Sequence, residues 1–422
     1  MPNTVLNPTI IAKAAVRLLD NELVMANRVF RGYENEFEKK VNGYDIGDTV
    51  TIRKPNQFTV RSVIAASIQD VVEGKQTFTV NSVRGVDFSF SSTDLTLKIS
   101  ELADRVIRPA MIQLANAIDA DLMSLYTQVP QWVGQPATGA DAAVDSYSKF
   151  TRAAERMDEL AVPQDERVAI LGPNSYWGMA GSQAALQLQS IGSAAYRKGS
   201  IGEIGGIDTY MSQNVPTYTA GTGADASVTV NGAAQQVTYA AIKDTESVPG
   251  TQTLITAGWG ASTTITAGTV FTIANVFAVN PVTKAVLPFL QHFTVVTALS
   301  ADGAGAATVT ISPAIIVSGA FQTVNSAPAN GAAIVVAGGA SLNYRQNLMF
   351  HKNAFGLVTV PMVKPPGAVS CTRESYKGLS VRLIPYYDGT NDVSSWRLDV
   401  LYGKKALDPR LAVRFGGGSG TI

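Results

Sequence analysis

Hydrophobic and polar positions change period several times along this chain. From Asn7-Pro8, where Asn suits a helix cap and Pro a first turn, Ile11, Ala15, Leu18, Met25 and Val29 recur at helical spacing. Arg17, Asp20, Asn21 and Arg28 fall on other faces, so the pattern predicts an amphipathic helix ending near Phe30 to Gly32. The period then drops to two. Residues 49–53, 57–60, 77–80 and 86–90 alternate apolar and polar side chains between breaks at Pro55-Asn56, Glu73-Gly74 and Arg84-Gly85, which predicts strands and hairpins. The stretch 54–75 shows few large apolar residues and mixed charge, an extended two-stranded arm without a core of its own. An isolated ribbon is marginal in water, so the arm must rest on something.

Helical spacing returns at 100–107 and 109–128, with Pro109 placed for a first turn. Met111, Leu114, Ile118, Leu122 and Leu125 form one stripe, and Asn116, Asp119 and Asp121 lie away from it. Further helices are predicted at 148–160 and at 174–189, the latter capped by Asn174, with a buried strand at 167–171 between them. Strands follow at 347–360, 380–385 and 396–402, before a Gly/Ser-rich tail at 416–422.

Between Thr219 and Ser341 charge nearly vanishes. Asp225, Lys243, Asp244, Glu246, Lys284 and Asp302 are the only charged residues there, out of 33 basic and 33 acidic in the 422-residue chain. Short alternating runs at 227–230, 252–255, 269–273, 293–298 and 308–311, punctuated by Gly, Pro and Asn, predict an all-β module set into an α+β host.

Composition sharpens this picture. Charged residues make up 16% of the chain, against about 25% in ordinary globular domains. A surface of Thr, Ser, Asn, Gln and Ala is easier to desolvate than a charged one. It suits a protein whose exterior is covered by other subunits; a secreted β-rich protein is the alternative. Zero net charge argues against a global field for nucleic acid or anionic membrane. Cys371 stands alone, which rules out an intrachain disulfide. Met1 to Asn7 lacks the pattern of a signal peptide, and no apolar run, 332–340 included, reaches the roughly 20 residues of a bilayer span.

Side chains in patterns that carry chemistry are few. His292 and His351 sit in no metal-ligand spacing, and Cys371 with His351 is too thin a basis for a nucleophile and base. Residues 221–226 (GTGADA) resemble a dinucleotide fingerprint but neither follow a strand nor open a helix, so they read as a linker. Asp158, Glu159, Asp165 and Glu166 cluster as a solvated face. No catalytic, cofactor-binding or metal site is predicted.

The order of segments, however, resembles the tailed-phage major capsid proteins, and within them the coat-protein family typified by the Salmonella phage P-twenty-two. Residues 109–122 (PAMIQLANAIDADL), 162–176 (VPQDERVAILGPNSY) and 199–215 (GSIGEIGGIDTYMSQNV) carry the likeness before the β block. Residues 267–284 (AGTVFTIANVFAVNPVTK) and 308–316 (TVTISPAII) carry it inside the block, and 347–361 (NLMFHKNAFGLVTVP) and 396–407 (WRLDVLYGKKAL) after it. The resemblance implies the Johnson fold, with an N-terminal helical arm (1–42), an extended β-loop (43–84) and a peripheral domain with a spine helix (85–145). An axial domain (146–218), an inserted β-barrel-like domain (219–341) and a return to the main fold (342–422) follow. It further implies self-assembly as hexamers and pentamers of an icosahedral shell. Scaffolding protein, portal protein and packaged double-stranded DNA, held without sequence-specific binding, are the implied partners. Assembly is expected in the host cytoplasm, the virion capsid being the destination. The expected inter-subunit contacts are Arg53, Lys54, Arg61, Asp70, Glu73 and Lys75 of the loop. The competing readings are an encapsulin-like compartment, a β-rich surface or tail structural protein, and an enzyme.

Overall fold

The computed structural model describes residues 12–13, 15–19, 23–33, 40–41, 44–45, 49–54, 56–61, 64–65, 68–69, 71, 74–91, 106–135, 141–185, 201–242, 250–365, 371–376 and 379–418. The chain forms an α+β fold of two compact units, each stitched together from distant parts of the sequence.

One unit comprises residues 1–50, 78–123 and 356–405. Its spine is the helix Arg108–Met123, which starts with Pro109 in the first turn, where a missing N–H loses nothing. Met111, Leu114, Ile118 and Leu122 are buried, as the spacing predicts, and the helix packs on the strand Ser82–Ser91. That strand pairs antiparallel with the long strand Val393–Ala406, which pairs on its other side with Leu379–Asp388. Tyr402 and Phe88 lie on the same sheet, and Phe88 stacks on Trp396 directly opposite, with ring centroids 6.3 Å apart.

Two expectations fail in this unit. The N-terminal segment is helical at 12–13 and 15–19, but 24–29 are bends and turns, so the helix is shorter than the spacing predicts. Of the predicted stripe, Ala15, Met25 and Val29 are buried, Leu18 is half-buried and Ile11 lies outside the described residues; Ala12, Val16 and Leu19 are buried beside them. Asp119 supplies the physical reason. It is buried, not solvent-facing, and its carboxylate accepts from Val24 N at 2.6 Å and Ala26 N at 3.0 Å. Those N–H groups are spent on a side chain instead of a preceding turn.

The second unit comprises residues 51–77, 124–355 and 406–422. A six-stranded sheet runs Trp132–Val133, Ala412–Phe415, Asn347–His351, Arg167–Leu171, Ile207–Met211, Glu203–Ile204. Arg167–Leu171 occupies the span its continuous apolar run predicts, and every residue in it is buried. Helix Tyr147–Glu159 lays Phe150, Ala153 and Met157 on this sheet, Phe150 meeting Phe415 edge-on at 5.9 Å. Helix Pro173–Ala185 begins one residue before the expected cap: Tyr176 N reaches back to Gly172 O at 2.9 Å, which gives Pro173 the first helical position.

The charge-poor block folds into a closed barrel. Its strands run in the order Val228–Val230, Gln252–Ala257, Ala307–Ser312, Val286–Val295, Val270–Val279, Ala333–Val336. Closure removes the unpaired edges that a sheet of Thr, Val and Ile would otherwise offer for aggregation. Inward positions are Leu254, Phe271, Ile273, Phe293, Val295, Val309 and Ile311, around Trp259. Ala333–Val336 is a strand the alternation does not predict, yet it closes the barrel by pairing with Val228–Val230 on one side and Val270–Val279 on the other.

Candidate functional site

Among the described residues only Asp165, Glu166 and His351 bring metal-binding side chains together. The imidazole decides against a ligand role there. Its Nδ1 accepts from Asn353 N at 3.2 Å, so in the neutral ring the proton sits on Nε2, which faces Asp165 at 4.0 Å. Glu166 is committed to Lys352 at 2.7 Å. The other acids of that cluster are also paired, Asp158 with Arg167 at 2.7 Å and Glu159 with Arg156 at 3.4 Å. The fingerprint-like residues 221–226 form turns leading into the first barrel strand, and Gly221 passes so close to Thr264 O that a Cβ would lie 2.2 Å from it. Its glycine serves packing, not a phosphate.

The most polar buried feature is Arg414, wholly inside the second unit. Its guanidinium donates to Gly268 O at 2.9 Å, Gln346 Oε1 at 3.4 Å and Thr294 Oγ1 at 3.5 Å. It also lies 5.6 Å and 5.7 Å from the ring centroids of Trp132 and Tyr126. Burial pushes its pKa down to about 10, so at neutral pH it stays charged. Carbonyls and aromatic faces hold it, tying a sheet strand to the barrel. It acts as a structural clamp.

The residues expected to make inter-subunit contacts lie on the arm. Thr49–Arg53 and Lys75–Thr79 pair as a two-stranded ribbon, and Lys54 N donates to Gly74 O at 2.8 Å. The predicted strand at 57–60 is absent: the described residues between the two strands have no regular structure. Side chains close the loop instead. Thr59 N donates to Gln69 Oε1 at 2.8 Å, Gln69 Nε2 donates to Thr59 O at 2.6 Å, and Arg61 donates to the carbonyls of Ile64 and Ala65. Of the expected contact residues, Arg53, Arg61 and Lys75 are exposed and Lys54 is half-buried; Asp70 and Glu73 lie outside the described residues.

The arm is not as poor in apolar residues as its sequence suggested. Phe58 is 57% exposed, Val60 100%, Ile64 99%, Ile68 94% and Val71 65%. Scattered exposed apolar residues are normal on a monomer; five on one short segment are a concentration that exceeds such scatter. The signal available in the sequence was a set of large apolar residues with no second apolar segment nearby to pack on.

Comparison with known proteins now settles the class. A family model described as "P22 coat protein - gene protein 5" matches residues 3–417. The chain belongs to that family and is a major capsid protein of a tailed phage, a structural family and not a class of enzyme. It is 24% identical over 387 residues, 88% of this chain and 89% of the relative, to the "Major capsid protein" of Acyrthosiphon pisum secondary endosymbiont phage 1. Among solved structures it is similar to a chain from Mycobacterium phage Che8, at 14% identity and TM-score 0.49, covering 94% of this chain and 92% of that one. It is also similar to the CUS-3 coat protein I-domain, at 29% identity and TM-score 0.20, covering 26% of this chain and 94% of that one.

Proposed function

We propose that this coat protein associates with copies of itself as hexamers and pentamers of an icosahedral head, each subunit laying its arm on a neighbour. The observation that carries this is the arm itself: five exposed apolar side chains on one short segment. Covering them on a neighbour removes apolar surface from water at about 25 cal/mol per Å². Interfaces commonly have an apolar centre and a polar rim. Phe58, Val60, Ile64, Ile68 and Val71 would supply the centre, and Arg53, Lys54, Arg61, Asp70, Glu73 and Lys75 the rim. One sequence in slightly different surroundings favours many modest contacts over a few tight ones.

The domain division implied by the family likeness is kept as part of this reading, with the barrel as an inserted domain at 219–341. So are a scaffolding protein, a portal protein, packaged double-stranded DNA and assembly in the host cytoplasm. A neutral chain suits a container wall that must not grip its contents. The test is particle formation, followed by sedimentation and negative-stain microscopy. Val60→Asp combined with Ile64→Asp is expected to leave a folded subunit and no shells, and Arg61→Glu to weaken assembly. Normal particles from both variants would remove the arm from the interface.

A further inference from the structure

A two-stranded ribbon is marginal in water unless something supports it. Exposure along the arm shows where the support ends. Lys54, Asn56 and Gln57 are half-buried and Gly74 is buried, whereas Phe58, Thr59, Val60 and Arg61 are exposed. The two covered ends lie together, because Lys54 N donates to Gly74 O at 2.8 Å. What covers them belongs to the charge-poor block. Gln57 lines a small cavity with Pro281, Gln322 and Thr323, and Gly74 lies against the Tyr239 hydroxyl, which is screened from solvent.

Tyr239 is firmly placed. It opens the single helical turn Tyr239–Ile242, and its ring lies flat on Phe321, with centroids 3.5 Å apart and planes 6° from parallel. Both rings pack on a cluster of Ile242, Ala314 and Ile316. Backbone bonds fasten the two segments: Val237 N donates to Ile315 O at 3.0 Å, and Thr323 N donates to Ile316 O at 2.9 Å. A ring held this way swings aside only by giving up its stack. A Cβ on Gly74 would lie 2.4 Å from the Tyr239 oxygen but 3.5 Å from its ring carbon Cζ, an ordinary contact. Lys54 Cδ, at 3.2 Å, is on a flexible stem. Gly74 does not have the left-handed backbone that favours glycine. The hydroxyl is what demands it.

We propose that the barrel seats the arm of its own subunit, with Tyr239 on Phe321 as the saddle and Gly74 as the point of closest approach. The barrel then has a task beyond its own closure. It fixes the arm at Gln57 and Gly74 and leaves the apolar residues from Phe58 onward to project into water. Ordering the root within the subunit removes part of the conformational entropy that docking on a neighbour would otherwise cost. That last consequence rests on the shell reading; the seat does not.

Hydrogen exchange of the full chain, kept as unassembled subunits, tests the seat. Wild type is compared with Gly74→Ala, Tyr239→Phe and the two combined. Gly74→Ala is expected to speed exchange of peptides covering 49–57 and 74–79 about tenfold through more frequent local opening. Peptides from the barrel strands at 252–257 and 307–312 are expected to exchange as in wild type. Tyr239→Phe keeps the stacked ring and vacates the space a Cβ needs. Alone it leaves the root protected, and in the double variant it restores protection. Alanine at an unstrained glycine position otherwise favours the folded chain slightly, so a general loss of stability would give neither the confinement to the root nor the rescue. Wild-type exchange in Gly74→Ala, faster exchange throughout the barrel, or a double variant no better protected than Gly74→Ala overturns the proposal. Particle formation reports separately: wild-type subunits protected at the root that form no shells count against the shell reading and leave the seat standing.

Discussion

Asp119 and Asp121 sit two positions apart on one helix and respond oppositely to their surroundings. Burial raises the pKa of Asp119, against the N–H groups of Val24, Ala26 and Met25 and the charge of Arg28. Burial would also raise Asp121, but the Tyr402 hydroxyl, the Arg84 guanidinium and the Lys404 ammonium outweigh it and hold that carboxyl below its ordinary 3.8. The signs follow from linkage. Above 3.8 the unfolded chain loses the Asp119 proton first, so stability falls as pH rises toward the folded value. Below 3.8 the unfolded chain protonates Asp121 first, so stability is lost as pH falls through the folded value. Urea midpoints measured across this range are expected to lose the upper slope in Asp119→Asn and the lower slope in Asp121→Asn. Unchanged slopes in both variants would refute these assignments. Neither role was legible in the sequence. Helical phase sets the face a residue occupies, but not the backbone or strand that arrives opposite it.

At the level of elements, period told more than propensity. The spine helix, the strand Arg167–Leu171 and four of the six barrel strands lie where the spacing of apolar residues predicts, whereas Val286–Val295 meets its expected run of 293–298 only at its last three residues. Ala333–Val336, which the alternation does not predict, is four residues long in a Gly/Ala-rich run and becomes a strand through partners on both sides. The arm failed in the opposite sense: residues 57–60 alternate correctly, but no partner strand reaches them. Turns impose their own demands on the barrel. Gly258 has φ at 92°, and an added Cβ would lie 2.4 Å from Ser227 O. Gly258→Ala is expected to destabilise the protein by about 3 kcal/mol, combining left-handed strain with a backbone clash. Calorimetry of the full chain checks this, and a loss under about 0.5 kcal/mol, the level of an ordinary surface substitution, would show that the turn relaxes.

For the whole molecule, the balance of apolar and ionic contacts decides how assembly responds to salt. An arm with an apolar centre should assemble as well or better when sodium chloride rises from about 0.05 to about 0.5 M, whereas an arm held by ion pairs should weaken as the Debye length shrinks. Light scattering at matched subunit concentration measures this, and a steep loss with salt would return the contact to the charged residues. The sequence by itself determined the α+β class, the charge-poor β block and the spine. Each of these is written in local period and composition, which do not depend on what lies across the fold. Tertiary structure alone decided that the barrel closes, that Asp119 holds the N-terminal segment, that Arg414 is clamped by carbonyls and rings, and that the apolar residues of the arm face water. Those outcomes depend on which distant segments meet, and that is set by the packing of the chain as a whole.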